Sequence, residues 1–165
     1  MKSTTQIALG GGCHWCTEAV FQQLKGVYNV QQGYIASTGE NNNLSEGILF
    51  EYNPEEISLE RLIYVHLSTH KSTSNHSFRK KYRSAVYYFS DVQEKQLTNT
   101  IASLQKKFNE KIITKVLAFV EFKASRESIQ NYYTKNPDSP FCKRYIIPKL
   151  DLIKKIIKIR TTNVE

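Results

Sequence analysis

At 165 residues and 19.1 kDa the chain fits one domain with at most a tail, because an independent core takes ~100–200 residues. Hydrophobic residues at 40% against 23% charged argue for a packed core and against disorder or a fibrous repeat. The longest apolar run, 116–120, is far short of the ~20 residues of a membrane-spanning helix, and residues 1–6 open no signal-peptide pattern, so a cytoplasmic location is expected.

Residues 5–9 read as a short strand running into Gly10-Gly11-Gly12, and 13–25 as a helix that Gly26 stops. Residues 27–34 and 44–52 are two strands across a polar loop at 37–43, placed to pair as neighbours. Asn53-Pro54 ends the second, and 57–67 carries Leu59, Leu62, Ile63 and His66 at helical spacing. After a loop at 68–77, residues 83–89 read as a strand. Ser90-Asp91-Val92-Gln93 then has the form of a capping box, opening a helix with Leu97, Ile101, Leu104 and Phe108 along one face. One strand over 113–122, a short helix over 125–133, a break at Asn136-Pro137, an irregular segment around Pro140 and a basic helix from about Asp151 complete the chain. The order β-α-β-β-α-β-α-β predicts an α+β fold, a ferredoxin-like two-layer sandwich of helices on a mixed sheet with a C-terminal extension. The expected organisation is a single domain over 1–165, with its core at about 5–150 and 151–165 as a basic helix or tail.

The net charge of +8 gathers in Arg79-Lys80-Lys81-Tyr82-Arg83 and in residues 143–165. Such a patch attracts nucleic acid or an anionic surface, but without a stacking or groove-binding motif a solvated surface is the simpler reading.

Three cysteines are too few and too odd in number for a disulfide framework. Two of them form Cys13-His14-Trp15-Cys16, directly after the glycines. A thiol in the first turn of a helix meets unpaired N–H groups and the positive end of the helix dipole, both of which favour the thiolate, so Cys13 reads as a nucleophile. Cys16, three residues on, is placed to attack an oxidised Cys13 or to share a metal with it. A structural zinc site wants four ligands, and Cys142 with His14, His66, His70 and His76 forms no zinc spacing, so neither metal nor other cofactor is expected. A general dithiol oxidoreductase acting through Cys13 and Cys16 remains the competing enzyme, although the elements after Cys16 are not in thioredoxin order.

The segment Gly11-Gly12-Cys13-His14-Trp15-Cys16-Thr17-Glu18-Ala19-Val20-Phe21, then Leu24-Lys25-Gly26-Val27 and Gly33-Tyr34, resembles the active-site segment of the A-type peptide methionine sulfoxide reductases. Glu46-Gly47-Ile48-Leu49-Phe50-Glu51-Tyr52-Asn53-Pro54, Lys81-Tyr82-Arg83-Ser84-Ala85-Val86-Tyr87 and the stretch from Asn136 to Cys142 with Ile147-Pro148-Lys149-Leu150 match in order and spacing, across roughly 5–155. The resemblance implies that Cys13 attacks the sulfoxide sulfur and becomes a sulfenic acid. It implies that Glu46 protonates the sulfoxide oxygen, that Tyr82 hydrogen-bonds that oxygen, and that Trp15 walls the substrate-methyl pocket. It makes Cys142 the preferred resolving thiol, on a mobile tail, with Cys16 as an exchange partner and thioredoxin or a similar dithiol as reductant. Reduction of the S epimer, free or in proteins, by a monomer that binds neither nucleic acid nor membrane follows from the same likeness.

Four departures accompany it. His14 stands where the family has a phenylalanine lining the methyl pocket. The 37–45 loop is short and lacks a tyrosine, Ser77 replaces an aspartate five residues before Tyr82, and Ser128-Ile129-Gln130 replaces Tyr-His-Gln. These changes predict a remodelled pocket. A divergent, weakly active member serving as a binding module through Arg79, Lys80, Lys81 and Arg83 is the non-enzymatic alternative.

Overall fold

The computed structural model describes residues 3–156, apart from the side chain of Ser77; residues 157–165, most of the expected basic tail, lie outside the described residues. Six strands form one mixed sheet: β1 (Thr5–Gly10), β2 (Val27–Ala36), β3 (Ser45–Tyr52), β4 (Ala85–Tyr88), β5 (Lys115–Ala118) and β6 (Glu121–Ala124). Their order across the sheet is β5-β4-β1-β3-β2-β6, with β4 and β5 parallel and the other pairs antiparallel. The helices are α1 (His14–Gln22), α2 (Leu59–Ser68), α3 (Asp91–Leu104), the single turn α4 (Tyr132–Lys135) and α5 (Ile147–Lys154). The run β1-α1-β2-β3-α2-β4, with central strand order β4-β1-β3-β2, is the expected ferredoxin-like α+β arrangement.

Strand alternation sorts the side chains into two cores. Ile7 and Leu9 of β1, Ile48 and Phe50 of β3 and Val86 of β4 face the helices, packing on Ala19, Val20 and Phe21 of α1 and Leu62 and Ile63 of α2. Ala8, Ile35, Leu49, Ala85 and Tyr87 point to the other face. There the sheet curls on itself, and the reading of 113–122 as one strand is corrected. Phe119 N donates to Tyr88 O (3.0 Å) and Val120 N to Ala36 O (3.1 Å), so two adjacent residues bridge strands on opposite sides of the sheet's central pair. The segment therefore divides into β5 on one edge and β6 on the other, and its Leu117, Phe119 and Phe122 cover the second core.

Local chemistry sets the helix starts. Ser58 Oγ accepts from Arg61 N (3.1 Å) ahead of α2, and Ser90 Oγ from Gln93 N (3.1 Å) ahead of α3. Gln93 Oε1 reaches back to the N–H of Phe89 (2.6 Å), one residue before the position a standard capping box uses. The helix expected over 125–133 is instead a 3-10 turn at Glu127–Ile129 and, after Asn131 in the left-handed region (φ 57°), α4. Buried Glu18 of α1 forces that break by accepting from the N–H groups of Asn131 (2.9 Å) and Tyr132 (3.3 Å), while Gln32 Nε2 donates to it at 2.8 Å. The final helix begins well before Asp151: a π-helical turn at Cys142–Ile146 runs directly into α5, with Ser139 Oγ accepting from Cys142 N at 3.2 Å. No helix among the described residues is long and apolar enough to cross a membrane.

The strand directions locate the functional end of the sheet. Gly10 ends β1 opposite Ala85, the first residue of β4, and β3 begins beside the same end. One rim therefore carries the glycine turn, Ser45-Glu46 and the Lys81-Tyr82-Arg83 lead into β4. Glu46 N and Ser45 Oγ both donate to Lys81 O at 2.9 Å, and Ser45 Oγ accepts from Arg83 N at 2.8 Å, tying two of these segments together.

Candidate active site

Cys13 is the N-cap of α1, with extended backbone (φ −60°, ψ 127°), so the first turn of the helix turns its free N–H groups toward the thiol. The N–H of His14 donates to Glu46 Oε1 (3.1 Å), and those of Cys16 and Thr17 close the first turn on Cys13 O (3.1 and 3.2 Å). The thiol is partly exposed, and its pKa is lowered below the usual 9.0, above all by the Cys16 thiol beside it and then by the nearby amides of Trp15 and Cys16; burial and the charge of Glu46 oppose the shift. The same contact, with burial, pushes the Cys16 thiol up. Cys13 is therefore the ionising partner and Cys16 stays a protonated donor.

Glu46 is 7% exposed and lies on the helix side of β3, in register with Tyr34 of β2. His14 is buried beneath it. Its Nδ1 lies 2.9 Å from Gly33 O, its ring meets Tyr34 edge-on at 5.2 Å, and Nε2 is 3.6 Å from Glu46 Oε1. The residue expected to line a methyl pocket thus supports the carboxyl group. Lys81 Nζ approaches Glu46 Oε2 at 3.8 Å and sits 5.2 Å from the ring centroid of Tyr82. Cys13, Cys16 and Tyr82 open into one groove of about 540 Å³. Trp15 stacks on Tyr132 (4.1 Å, 10° between planes) and meets Phe141 edge-on at 5.2 Å, joining α1 to the C-terminal segment.

Cys142 is fully buried in the π-helical turn rather than on a mobile tail, and it lies near enough to Cys16 for its charge to raise that thiol. The three thiols are free. Among the described residues no three His, Cys, Asp or Glu side chains converge as metal ligands would.

The two arginines of the basic run that suggested a nucleic-acid surface are turned inward, whereas Lys80 and Lys81 are exposed. Arg79 donates to four main-chain carbonyls: Ser74 (2.9 Å), Gly11 and Tyr82 (2.8 Å each) and Lys71, so it clamps the 71–82 loop to the glycine turn. Arg83 donates to Ile35 O (2.8 Å), to the side chain of Asn43 (2.9 Å) and to Tyr87 Oη (3.0 Å), holding the short 37–45 loop. With Lys81 at Glu46, sequence reasoning missed three functional supports because each looked like surface charge. Two arginines, Arg79 and Arg83, in a stretch with no Asp or Glu between Glu60 and Asp91 were the available signal.

Two histidines brace the turn from below. His66 Nε2 lies 2.8 Å from Gly10 O, the rings of His66 and His70 stack at 4.3 Å, and His70 Nε2 contacts Ser84 Oγ at 2.8 Å. A Cβ on Gly11 would sit 2.4 Å from the His70 ring, which is why that position is glycine. Burial holds His66 to about 4, with the nearby Arg79 charge adding to the effect and the Gly10 carbonyl opposing it. Between pH 6.5 and 4 the unfolded chain takes a proton there that the folded chain refuses, so stability present above pH 6.5 is lost as pH falls through that window. Buried His70 is held down in the same sense, so the loss seen by urea denaturation from pH 7 to 5 should include about 2 kcal/mol from His66 that His66→Gln removes. Equal pH slopes for the two proteins would contradict it.

The fold and rim define a thiol-dependent enzyme: an ionisable cysteine at a helix start, a second thiol behind it and a buried carboxyl group beside it. The family model for peptide methionine sulfoxide reductase matches residues 5–161, and the chain belongs to that family. It is 36% identical over 160 residues to the Pasteurella multocida peptide methionine sulfoxide reductase MsrA, covering 88% of this chain and 92% of that protein. Mxr1 from Saccharomyces cerevisiae in reduced form superposes with a TM-score of 0.73 at 24% identity, over 86% of this chain and 91% of the other. Mxr1 in complex with Trx2 gives 0.58 at 25% identity, over 75% and 82%.

Proposed function

We propose that the protein is a peptide-methionine (S)-S-oxide reductase whose nucleophile is Cys13. The observation that carries this reading is the placing of Cys13 at the N-cap of α1, whose next residue, His14, donates its N–H to the Glu46 carboxyl, which sets nucleophile and proton donor side by side. The Cys13 thiolate attacks the sulfoxide sulfur while Glu46, which takes up a proton as the sulfoxide binds, passes it to the oxygen and Tyr82 donates a hydrogen bond to it. The carboxylate then left on Glu46 is met by the His14 N–H and the Lys81 ammonium. As the sulfur–oxygen bond of the substrate breaks, methionine leaves and the oxygen ends on Cys13 as a sulfenic acid; the substrate gains the two electrons Cys13 loses.

Adjacency supports Cys16 as the first resolving thiol. Its sulfur bonds to that of Cys13, and the hydroxyl leaves as water with the Cys16 proton. Buried Cys142 then exchanges onto Cys16 and frees Cys13, and an external dithiol reduces the last disulfide. The relative bound to Trx2 supports thioredoxin for that step. A cytoplasmic, single-domain monomer is part of the same proposal.

Purified protein given both epimers of methionine sulfoxide with dithiothreitol should reduce the S epimer; equal inactivity on both rejects the assignment. Mass spectrometry after one equivalent of sulfoxide should find the Cys13–Cys16 bridge in Cys142→Ser. In Cys16→Ser the sulfenic acid should persist, and a direct Cys13–Cys142 bridge there would restore Cys142 as the first thiol.

A further inference from the structure

The groove onto which Cys13 opens is much larger than one sulfoxide side chain and falls within the range of small-ligand sites, at about 540 Å³. Its walls are aromatic and basic. Phe78, 66% exposed, and Tyr145, 46% exposed, line it together with Phe141, whose ring is 5.0 Å from that of Tyr145. Exposed Lys71 and half-buried Lys149 supply charge, and no Asp or Glu lines the groove. Lys149 reaches across to Thr69 O, so its ammonium is held at the groove edge, and its charge is felt at Cys16. Lys81, exposed beside Tyr82, adds a further cation near the same mouth.

We infer that the groove selects methionine sulfoxide in peptide segments with acidic neighbours, read by Lys71 and Lys149. The inference rests on the reductase reading above and adds the class of substrate to it. A free amino acid presents an α-ammonium group, for which the lining residues offer no carboxylate. A peptide replaces it with neutral backbone, lays apolar neighbours on Phe78 and Tyr145, and places flanking carboxylates near the two ammonium groups. Opposite charges arranged in this way raise the rate of productive encounter and fix which segments dwell at the thiol.

The test compares end-blocked tripeptides of S-methionine sulfoxide flanked by Asp, Ala or Lys, with dithiothreitol as reductant so that docking of a protein reductant plays no part. At low salt kcat/KM should fall from Asp to Ala to Lys, by about tenfold or more between the extremes, and at 0.5 M salt the three should converge to within about twofold. Lys71→Glu should flatten or invert the order, and Lys149→Gln should flatten it in part. Turnover of the Ala peptide with no dependence on flanking charge or salt overturns this inference and leaves the reductase reading standing. Failure to reduce any of the three overturns the reductase reading itself.

Discussion

Replacing Cys13 by serine should cut sulfoxide turnover by more than about 10⁴-fold, the scale of removing a nucleophile in other enzymes, while leaving thermal stability at or slightly above the parent. The two halves of that expectation have one cause. Cys13 is the N-cap of α1 and makes no side-chain cap hydrogen bond of the ordinary kind, so a serine hydroxyl, among the best acceptors for the second and third N–H groups of a helix, keeps or improves the start of the helix. The chemistry is lost because a hydroxyl in the same place is not ionised near neutral pH and forms no disulfide. Cys16 cannot substitute: it is buried, and burial pushes its own thiol up even without the Cys13 thiolate beside it. Dithiothreitol-coupled assays with thermal melts on both proteins decide the matter. Residual turnover above about a hundredth of the parent rate would move the nucleophile elsewhere.

The parts of this site legible in the sequence are those whose chemistry is local. A glycine turn before a helix, with a thiol at the helix start, announces its own electrostatics, and Cys13 and Cys16 stand as that pattern requires. The order of the first six elements was legible for the same reason, since each carried its own period, cap or breaker. What was not legible depends on contacts between distant residues. Periodicity alone gave no reason to divide 113–122, because the division is made by hydrogen bonds to Tyr88 of β4 and Ala36 of β2, strands on opposite sides of the sheet's central pair. The 125–133 segment is broken by Glu18, more than a hundred residues earlier in the chain. Arg79 and Arg83 looked like solvated charge until the curl of the sheet and the short 37–45 loop supplied carbonyls for them. Cys142 followed a proline-rich break that suggested a loose tail, yet Ser139 starts a helical turn there and buries the thiol.

The Glu46→Gln variant separates proton donation from support. Glutamine keeps the shape of the side chain and an oxygen to accept from the His14 N–H, so the start of α1 stays in place. The variant loses the ion pair to Lys81, which is well exposed and therefore contributes little to stability. Denaturation should accordingly change little. Sulfoxide reduction should nevertheless fall by about 10²–10⁴-fold in kcat/KM, the usual contribution of a positioned general acid, because an amide cannot hand a proton to the departing oxygen. Two further readouts distinguish this from a disturbed thiol. Reduction of insulin disulfides through Cys13 and Cys16 has no oxygen to protonate, so any such activity should survive the change. Alkylation of Cys13 by iodoacetamide at fixed pH below 9 should become faster, because the charge of Glu46 raises the thiol and its removal lets the pKa fall further. If sulfoxide reduction and alkylation slowed together, Glu46 would be acting only by holding the helix start in place, and the proton for the leaving oxygen would have to come from another group on the same rim.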